Sequence, residues 1–384
     1  MIYLDNNATT ALDPEVLEAM LPVLKTHYGN ASSASHSLGW FAAELVQIAR
    51  EQIAALINAS PEEIIFTSGA TESNNMAIKG FLSKDPALLS ALTSNIEHRS
   101  VLEPLNYLHS EGLELNLAKV NSDGLLDNSL QDQLEELNPN FISLMLANNE
   151  IGTIQDLKLI FDRAKAMRIV THSDATQALG KISIDVKKLG ADMMSISAHK
   201  IHGPTGIGAL YISKGLNDFA PLLHGGGQEQ GLRSGTLNVA GIVGFGKACE
   251  VANKLLKNNS NQTKELTELF LKTLKETYPD IEINGHPEKR IPGNLNLILK
   301  GTDSAKLSAS LSTKIAFSTS SSCQSDSSKP SHVLRALGLS AKDKKSSIRI
   351  GLSRLNSIQE VIEAAKLLGQ EANKSEAKLS RNET

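Results

Sequence analysis

Several side chains in this sequence stand where hydrophobic runs stop, and each is of a type that does chemistry. Lys200 follows "MMSISA", where an ammonium is out of place at the end of a buried strand. It is either a solvated surface lysine or an amine that forms a Schiff base with a carbonyl. Ser197 and His199 flank it with donors suited to a phosphate. Asp174 closes "IVTHSDA", and a carboxylate there needs a cation or hydrogen-bond donors, because desolvating it alone is costly. It can cap the turn "ATQALG", ligate a metal or pair with a protonated ring nitrogen, and Gln177 follows one turn later. In "FTSGATESNN", Gly69, Ala70 and Thr71 stand where a strand turns into a helix. Free N–H groups and the positive end of the dipole suit either an ordinary N-cap or a phosphate. Arg349, in "SSIRIGLSR", is a bidentate carboxylate anchor or half of a surface ion pair.

The three strand-end features support one another. A phosphate seat, a carboxylate and an amine are together what pyridoxal phosphate requires: the aldehyde takes Lys200, the ring nitrogen takes Asp174 and the phosphate takes the helix start. The chain has two cysteines, too few for a disulfide framework or a thiolate zinc site. Cys249 lies in the amphipathic "IVGFGKACEVANKLL" and reads as a small buried thiol. Cys323 lies in "AFSTSSSCQSDSSKPS", with seven serines between Ser318 and Ser328. That segment is too polar for core, so it predicts an accessible, reactive thiol. His199 and His202 form an H-x-x-H without a third ligand nearby, so no metal is expected.

The elements that must position these groups are written in the hydrophobic pattern. "EEIIFTS" (62–68), "ALLSALT" (87–93), "FISLMLA" (141–147), "RIVTHSDA" (168–175) and "ADMMSIS" (191–197) read as buried strands. Between them lie helices. One carries Val16, Met20, Val23, Leu24 and His27 on one face, bent at Pro22. Another carries Leu38, Phe41, Leu45, Ile48 and Leu56. Strands alternating with helices predict a mostly parallel, covered sheet, whose ligands collect at the strands' carboxyl ends. After about residue 255 the pattern changes. "RIPGNLNLILKG" alternates Leu295, Leu297 and Leu299 like a half-exposed strand, "SSIRIGLSR" is another strand, and a helix spans about 358 to 368. The tail "GQEANKSEAKLSRNET" has almost no apolar content and reads as unstructured.

Bulk properties narrow the class. With 384 residues, 41% of them hydrophobic, the chain can build one large or two medium cores. A net charge of -4 without a long basic run gives no argument for nucleic acid. No window approaches the ~18 apolar residues of a membrane span. "MIYLDNNATT" lacks the basic-then-apolar layout of a secretory signal, so a cytoplasmic location is expected.

Read in order, "YLDNNATT", "FTSGATESNN", "ANNEIG", "HSDATQALGK", "SAHKIHGPTGIGALY", "GGGQEQGLRSGT", "SHVLRALGL" and "SSIRIGLSR" resemble the consecutive signatures of class V aminotransferase-like cysteine desulfurases, the NifS/IscS branch above all. The resemblance runs from Tyr3 to about Leu368. It implies a fold-type I homodimer with a large domain, built on a mostly parallel seven-stranded sheet covered by helices, and a smaller α+β domain. The large domain would span 12–255. The small one would join 1–11 to 256–370 and carry the cysteine loop at about 318–330, leaving 371–384 as a polar tail.

The same resemblance implies a reaction: L-cysteine becomes L-alanine while its sulfur passes to an enzyme persulfide, and then to a sulfur-acceptor or scaffold protein for iron–sulfur clusters or other products. It implies Lys200 as the Schiff-base lysine, His98 stacked on the ring and Asp174 on the ring nitrogen. Asn149 and Gln177 would reach the phenolic oxygen, and Ala70, Thr71, Ser197 and His199 the phosphate, with Thr236 added from the neighbouring subunit. Arg349 would hold the substrate carboxylate, with Asn149 beside it, and Cys323 would accept sulfur.

The sequence departs from the family pattern in four places. Ser320 and Ser322 replace Gly and Ala before the acceptor, Ala198 replaces a Gly in "SAHK", "GNASS" lacks a proline, and the hydrophobic-acidic scaffold-docking tail is missing. The rival readings are a selenocysteine lyase or aminotransferase of the same fold, and an inactive sulfur-delivery scaffold.

Overall fold

A computed structural model of the chain describes residues 1–83, 85–127, 129–216, 219–319 and 331–382, with side chains to Ser375. A short first strand, β1 (Ile2–Tyr3), precedes the seven strands of the main sheet. These are β2 (Ile64–Thr67), β3 (Ser90–Ser94), β4 (Glu114–Ala118), β5 (Phe141–Ser143), β6 (Val170–Asp174), β7 (Met193–Ser197) and β8 (Gly208–Ile212). Their spatial order is β2-β8-β7-β6-β5-β3-β4. β8 runs antiparallel to both of its neighbours and every other pair is parallel.

Apart from the edge strand β4, the strands are buried almost end to end because both faces of the sheet are covered. Alternate side chains point to opposite cores. Ile64, Phe66, Leu92, Ile142, Met194 and Ala209 pack into one, whereas Ile65, Ala91, Phe141, Met193 and Leu210 pack into the other. Polar residues in the middle of the sheet are paired across strands. His172 joins Ser143 Oγ at 2.8 Å and Ser195 Oγ at 2.9 Å, tying β5, β6 and β7 together. Burial pushes that imidazole down to about 4, so it is a neutral crosspiece.

A second core gathers around an antiparallel sheet ordered β12-β13-β10-β9, built from β9 (Ile281–Asn284), β10 (Asn294–Leu299), β12 (Ser318–Thr319) and β13 (Ser347–Gly351). The N-terminus joins it: β1 pairs with β11 (Ile315–Ala316), and Ile2 and Leu4 lie in this core. One helix, Val239–Thr277, serves both halves. Ile242, Phe245 and Cys249 belong to the first core and Leu266, Phe270 and Leu274 to the second. Residue 255, where the sequence pattern changes, therefore lies inside a continuous helix.

Three expectations are corrected. The helix Ser37–Ile57 buries Ala42, Val46, Ala49, Ile53 and Leu56, leaving Leu38, Phe41 and Ile48 exposed. Close helix packing selects small residues over bulky ones: a Cβ on Gly246 of the long helix would come within 2.6 Å of Ala49 Cα. β10 is buried on both faces. Its polar face meets the site rather than water, since Asn294 and Asn296 donate to the carbonyls of Asn149 and Glu150. Finally, the last helix runs Ile358–Asn382, through the stretch expected to be unstructured. Glu, Lys, Gln and Ala are good helix formers, and Ala372 is anchored in the second core.

Candidate active site

A cavity of about 490 Å³ opens where β2, β6 and β7 end, between the two cores. Into it come Lys200, Asp174, His98, Ala70, Thr71, Asn149, Gln177, Ser197, His199 and Arg349, all named from the sequence as candidates. Each arrives on an element whose local chemistry fixes it. The helix Ala70–Leu82 starts after Gly69, whose φ of +149° only a glycine adopts without strain. A Cβ on Gly208, at the start of β8, would meet Gly69 Cα at 2.7 Å, so the helix start lies directly on the sheet. Gly69 and the first residues of the helix, Ala70 and Thr71, line the cavity, and a helix start leaves its first N–H groups unpaired within the helix.

Asp174 closes β6 and is held from both sides. Thr176 N–H donates to Oδ1 at 3.0 Å, and Asn74 Nδ2 donates to Oδ2 at 2.8 Å. His98 caps the helix Arg99–Ser110: its Nδ1 accepts from Ser100 N–H at 3.2 Å, which leaves the neutral ring's proton on Nε2. Desolvation by the surrounding protein holds this ring below its ordinary pKa, against the opposite pull of Asp174. His199, beside Thr9 Oγ1 at 3.1 Å, is pushed down to about 4 by burial and then by Lys200.

Lys200 sits in the turn after β7 and donates to the carbonyls of Asn7, at 2.8 Å, and Ala8. Asn7 O also accepts from Gln177 Nε2 at 2.9 Å. Across the cavity, Arg349 of β13 donates from Nη1 to Asn149 O at 3.2 Å. Its Nη2 donates to Asp5 Oδ1 at 3.0 Å and to Ser318 Oγ at 2.9 Å. The surface ion-pair reading is thus set aside: the arginine is 4% exposed, and its plane is fixed by a buried bond network at the cavity wall.

Two candidates are not in this lining. Thr236 is exposed and outside the cavity. Cys323 lies outside the described residues, as do Ser320 and Ser322. The residues on either side of that segment do reach the site. Ser318 holds Arg349, Ser331 Oγ donates to Glu150 Oε2 at 2.5 Å, and His332 lines the cavity with its Nε2 2.8 Å from Glu97 O. Cys249 is buried in the long helix, and desolvation holds its thiol well above the ordinary value.

Sequence reasoning missed Asp5, Asn74 and His332, which hold Arg349 and Asp174 or line the cavity. Signals existed for two of them. Asn74 lies one turn after Thr71 on the same helix, and Asp5 comes two residues after the strand Ile2–Tyr3. No three His, Cys, Asp or Glu gather among the described residues in a way that could hold a metal.

Comparison with known proteins agrees with this arrangement. The family described as Aminotransferase class-V matches residues 2–363. The cysteine desulfurase IscS of Anaeromyxobacter dehalogenans is 42% identical over 378 residues, covering 97% of this chain and 93% of its own. Among solved structures, a NifS-like protein superposes with a TM-score of 0.89 at 36% identity, covering 97% of this chain and 99% of that one. SspA, solved in complex with cysteine, gives 0.81 at 34%, covering 93% and 100%. The seven-stranded sheet with its second domain is the fold-type I architecture.

Proposed function

We propose the reaction from one premise: this chain belongs to the aminotransferase class-V family. The reading that best fits its cavity is a pyridoxal-phosphate-dependent cysteine desulfurase, converting L-cysteine to L-alanine with the sulfur held as a persulfide on Cys323. The observation that carries it is convergence. An amine, a strand-end carboxylate, a helix start and a buried guanidinium, from Lys200, Asp174, Thr71 and Arg349, line one cavity. A relative solved with cysteine supports that amino acid as substrate.

The residues present fit the cofactor. Asp174 has its two oxygens oriented by Asn74 and Thr176, and Thr176 Oγ1 is buried at the cavity without a partner among the described residues. Lys200 would hold the aldehyde carbon, Asp174 the ring nitrogen, His98 the ring face, and Asn149 with Gln177 the phenolic oxygen. Ala70, Thr71, Ser197 and His199 would take the phosphate, joined by Thr236 of a second copy. Once bound, the cofactor supplies an electron sink for charge developing at the substrate Cα.

The chain's own residues then divide the work. Arg349, fixed by Asp5 and Ser318, takes the substrate carboxylate as a charge-assisted partner. Lys200 moves the Cα proton. The Cys323 thiolate attacks the substrate sulfur: an S–S bond forms, the Cβ–S bond breaks and its electron pair goes to the substrate carbon. The persulfide passes to an acceptor protein for iron–sulfur clusters or other sulfur-containing products, in the cytoplasm. No helix among the described residues is long and apolar enough to cross a membrane.

Two variants separate binding from chemistry. Lys200→Ala abolishes borohydride fixation of the cofactor and lowers alanine release by roughly a hundred-fold or more. Cys323→Ser keeps the fixation and yields neither persulfide nor sulfide from L-cysteine. Desulfuration at the wild-type rate by Cys323→Ser overturns the acceptor assignment.

A further inference from the structure

Beside Lys200 lies a second, smaller cavity of about 60 Å³. Lys200 lines both, and Lys181 lines only the smaller one. Lys181 reaches this place because Gly180 turns the chain with φ +67°, so close that a Cβ there would meet Ile201 Cγ2 at 2.8 Å. The amine is half-buried and makes no ion pair among the described residues. Its hydrogen bond goes to Gln177 Oε1 at 3.1 Å.

That bond completes a chain of three. Lys181 Nζ donates to Gln177 Oε1, Gln177 Nε2 donates to Asn7 O, and Lys200 Nζ donates to the same carbonyl. An amide side chain has two nearly isosteric orientations, and only its partners choose between them. When protonated, Lys181 offers donors alone, so it pins the oxygen to its own side and the NH₂ turns towards the Asn7 carbonyl. Without it, only the acceptance by the Asn7 carbonyl holds the amide in this orientation.

We propose that Lys181 is a positioning residue for Lys200: it fixes the Gln177 amide and adds a cation behind the lysine, so that the Lys200 nitrogen releases its proton more readily. The inference rests on Lys200 being the cofactor lysine. The charged and titratable groups facing Lys181 are Lys200 and His202 from the turn after β7 and Arg349 from β13, with Arg354, which pairs with Asp13, across the small cavity. Cations dominate this set. Desolvation, the largest cause, and then Lys200 and Arg349 push Lys181 down to about 7, so its amine carries the charge below that pH.

The test uses the full-length holoenzyme and reads the visible band of the lysine–cofactor linkage against pH, with cofactor affinity measured in parallel. Lys181→Met is expected to raise the apparent pKa of the band by about one unit, because a like charge and a fixed donor are lost, and to weaken cofactor binding several-fold. Lys181→Arg restores both, whereas Lys187→Met, on the exposed surface, changes neither. If the Met variant does not accumulate folded, Lys181→Gln, uncharged but still polar, is read in the same way. A titration superimposable on wild type, even with lower thermal stability, overturns the proposal. A wild-type protein without a titrating band overturns the cofactor reading itself, and the two failures are thereby distinct.

Discussion

Glu97 and His98 are adjacent in the chain and opposite in environment. His98 lines the cavity, whereas Glu97 is fully buried behind it. Glu97 Oε1 accepts from Ser94 Oγ at 2.7 Å and from Met145 N–H at 2.8 Å, but Oε2 has no partner among the described residues. Desolvation pushes this carboxyl up to about 8, outweighing the two donors. The unfolded chain ionises Glu near 4.5, so the folded state holds a proton that the unfolded state has lost between those values. Stability from this group is complete below about pH 4.5 and is lost as pH rises through about 8, by at most about 1.4 kcal/mol per unit. Glu97→Gln keeps the acceptor oxygen and cannot ionise. Its melting temperature should fall less than that of wild type between about pH 5 and pH 8, measured by thermal denaturation across a buffer series. Parallel curves would mean that the native carboxyl is already ionised.

At the scale of elements, the sequence was most legible where burial and period coincide. Runs such as "IIFT" and "MMSIS" could only be strands covered on both faces, and their ends delivered Asp174, Ser197 and Lys200 to one place. It was least legible where packing reverses the usual meaning of bulk. The helix Ser37–Ile57 carries two stripes of helical period, and the larger side chains lie on the outer one. Likewise Asn294 and Asn296 on β10 resemble a solvated face, yet they hold the Asn149 loop from beneath. His332 was invisible for a related reason: it acts through Glu97, a partner distant in sequence. The contact between Gly208 and Gly69 is of this kind and makes a test. A Cβ at 208 would meet Gly69 Cα and Ile196 O, both at 2.7 Å. Gly208→Ala therefore has to lift the helix start off the sheet, costing about 1–3 kcal/mol. Cofactor affinity should fall with it, by roughly ten-fold for each 1.4 kcal/mol felt at the phosphate seat. Equilibrium titration of the apoprotein with pyridoxal phosphate, alongside urea denaturation, reads both. Full stability with full affinity would show that the helix start does not depend on that close approach.

For the molecule as a whole, the misread stripe becomes informative. Leu38, Phe41 and Ile48 are 42%, 38% and 44% exposed, and Trp40 and Tyr28 nearby in the chain are 60% and 73% exposed. His27 and Phe41 rings meet at 4.6 Å, so the end of the helix Pro14–Lys25 and the start of Ser37–Ile57 share this apolar surface. Soluble monomers rarely leave a contiguous apolar patch of this kind uncovered. Thr236 supplies a second argument: proposed for the phosphate from the sequence resemblance, it is exposed and absent from its own chain's cavity. A second copy covering the patch would answer both observations. The double variant Phe41→Glu with Ile48→Glu puts two like charges into that contact and should sediment as a monomer, where wild type is expected to sediment as a dimer. If Thr236 of one copy completes the phosphate seat of the other, the monomer should also bind the cofactor about ten-fold more weakly, a loss of about 1.4 kcal/mol. Thr236→Ala should weaken binding in the same direction while leaving sedimentation unchanged, which separates a missing hydroxyl from a missing partner. A wild-type protein that sediments as a monomer at micromolar concentration, with the cofactor tightly held, would refute the shared site and leave Thr236 without a role in phosphate binding.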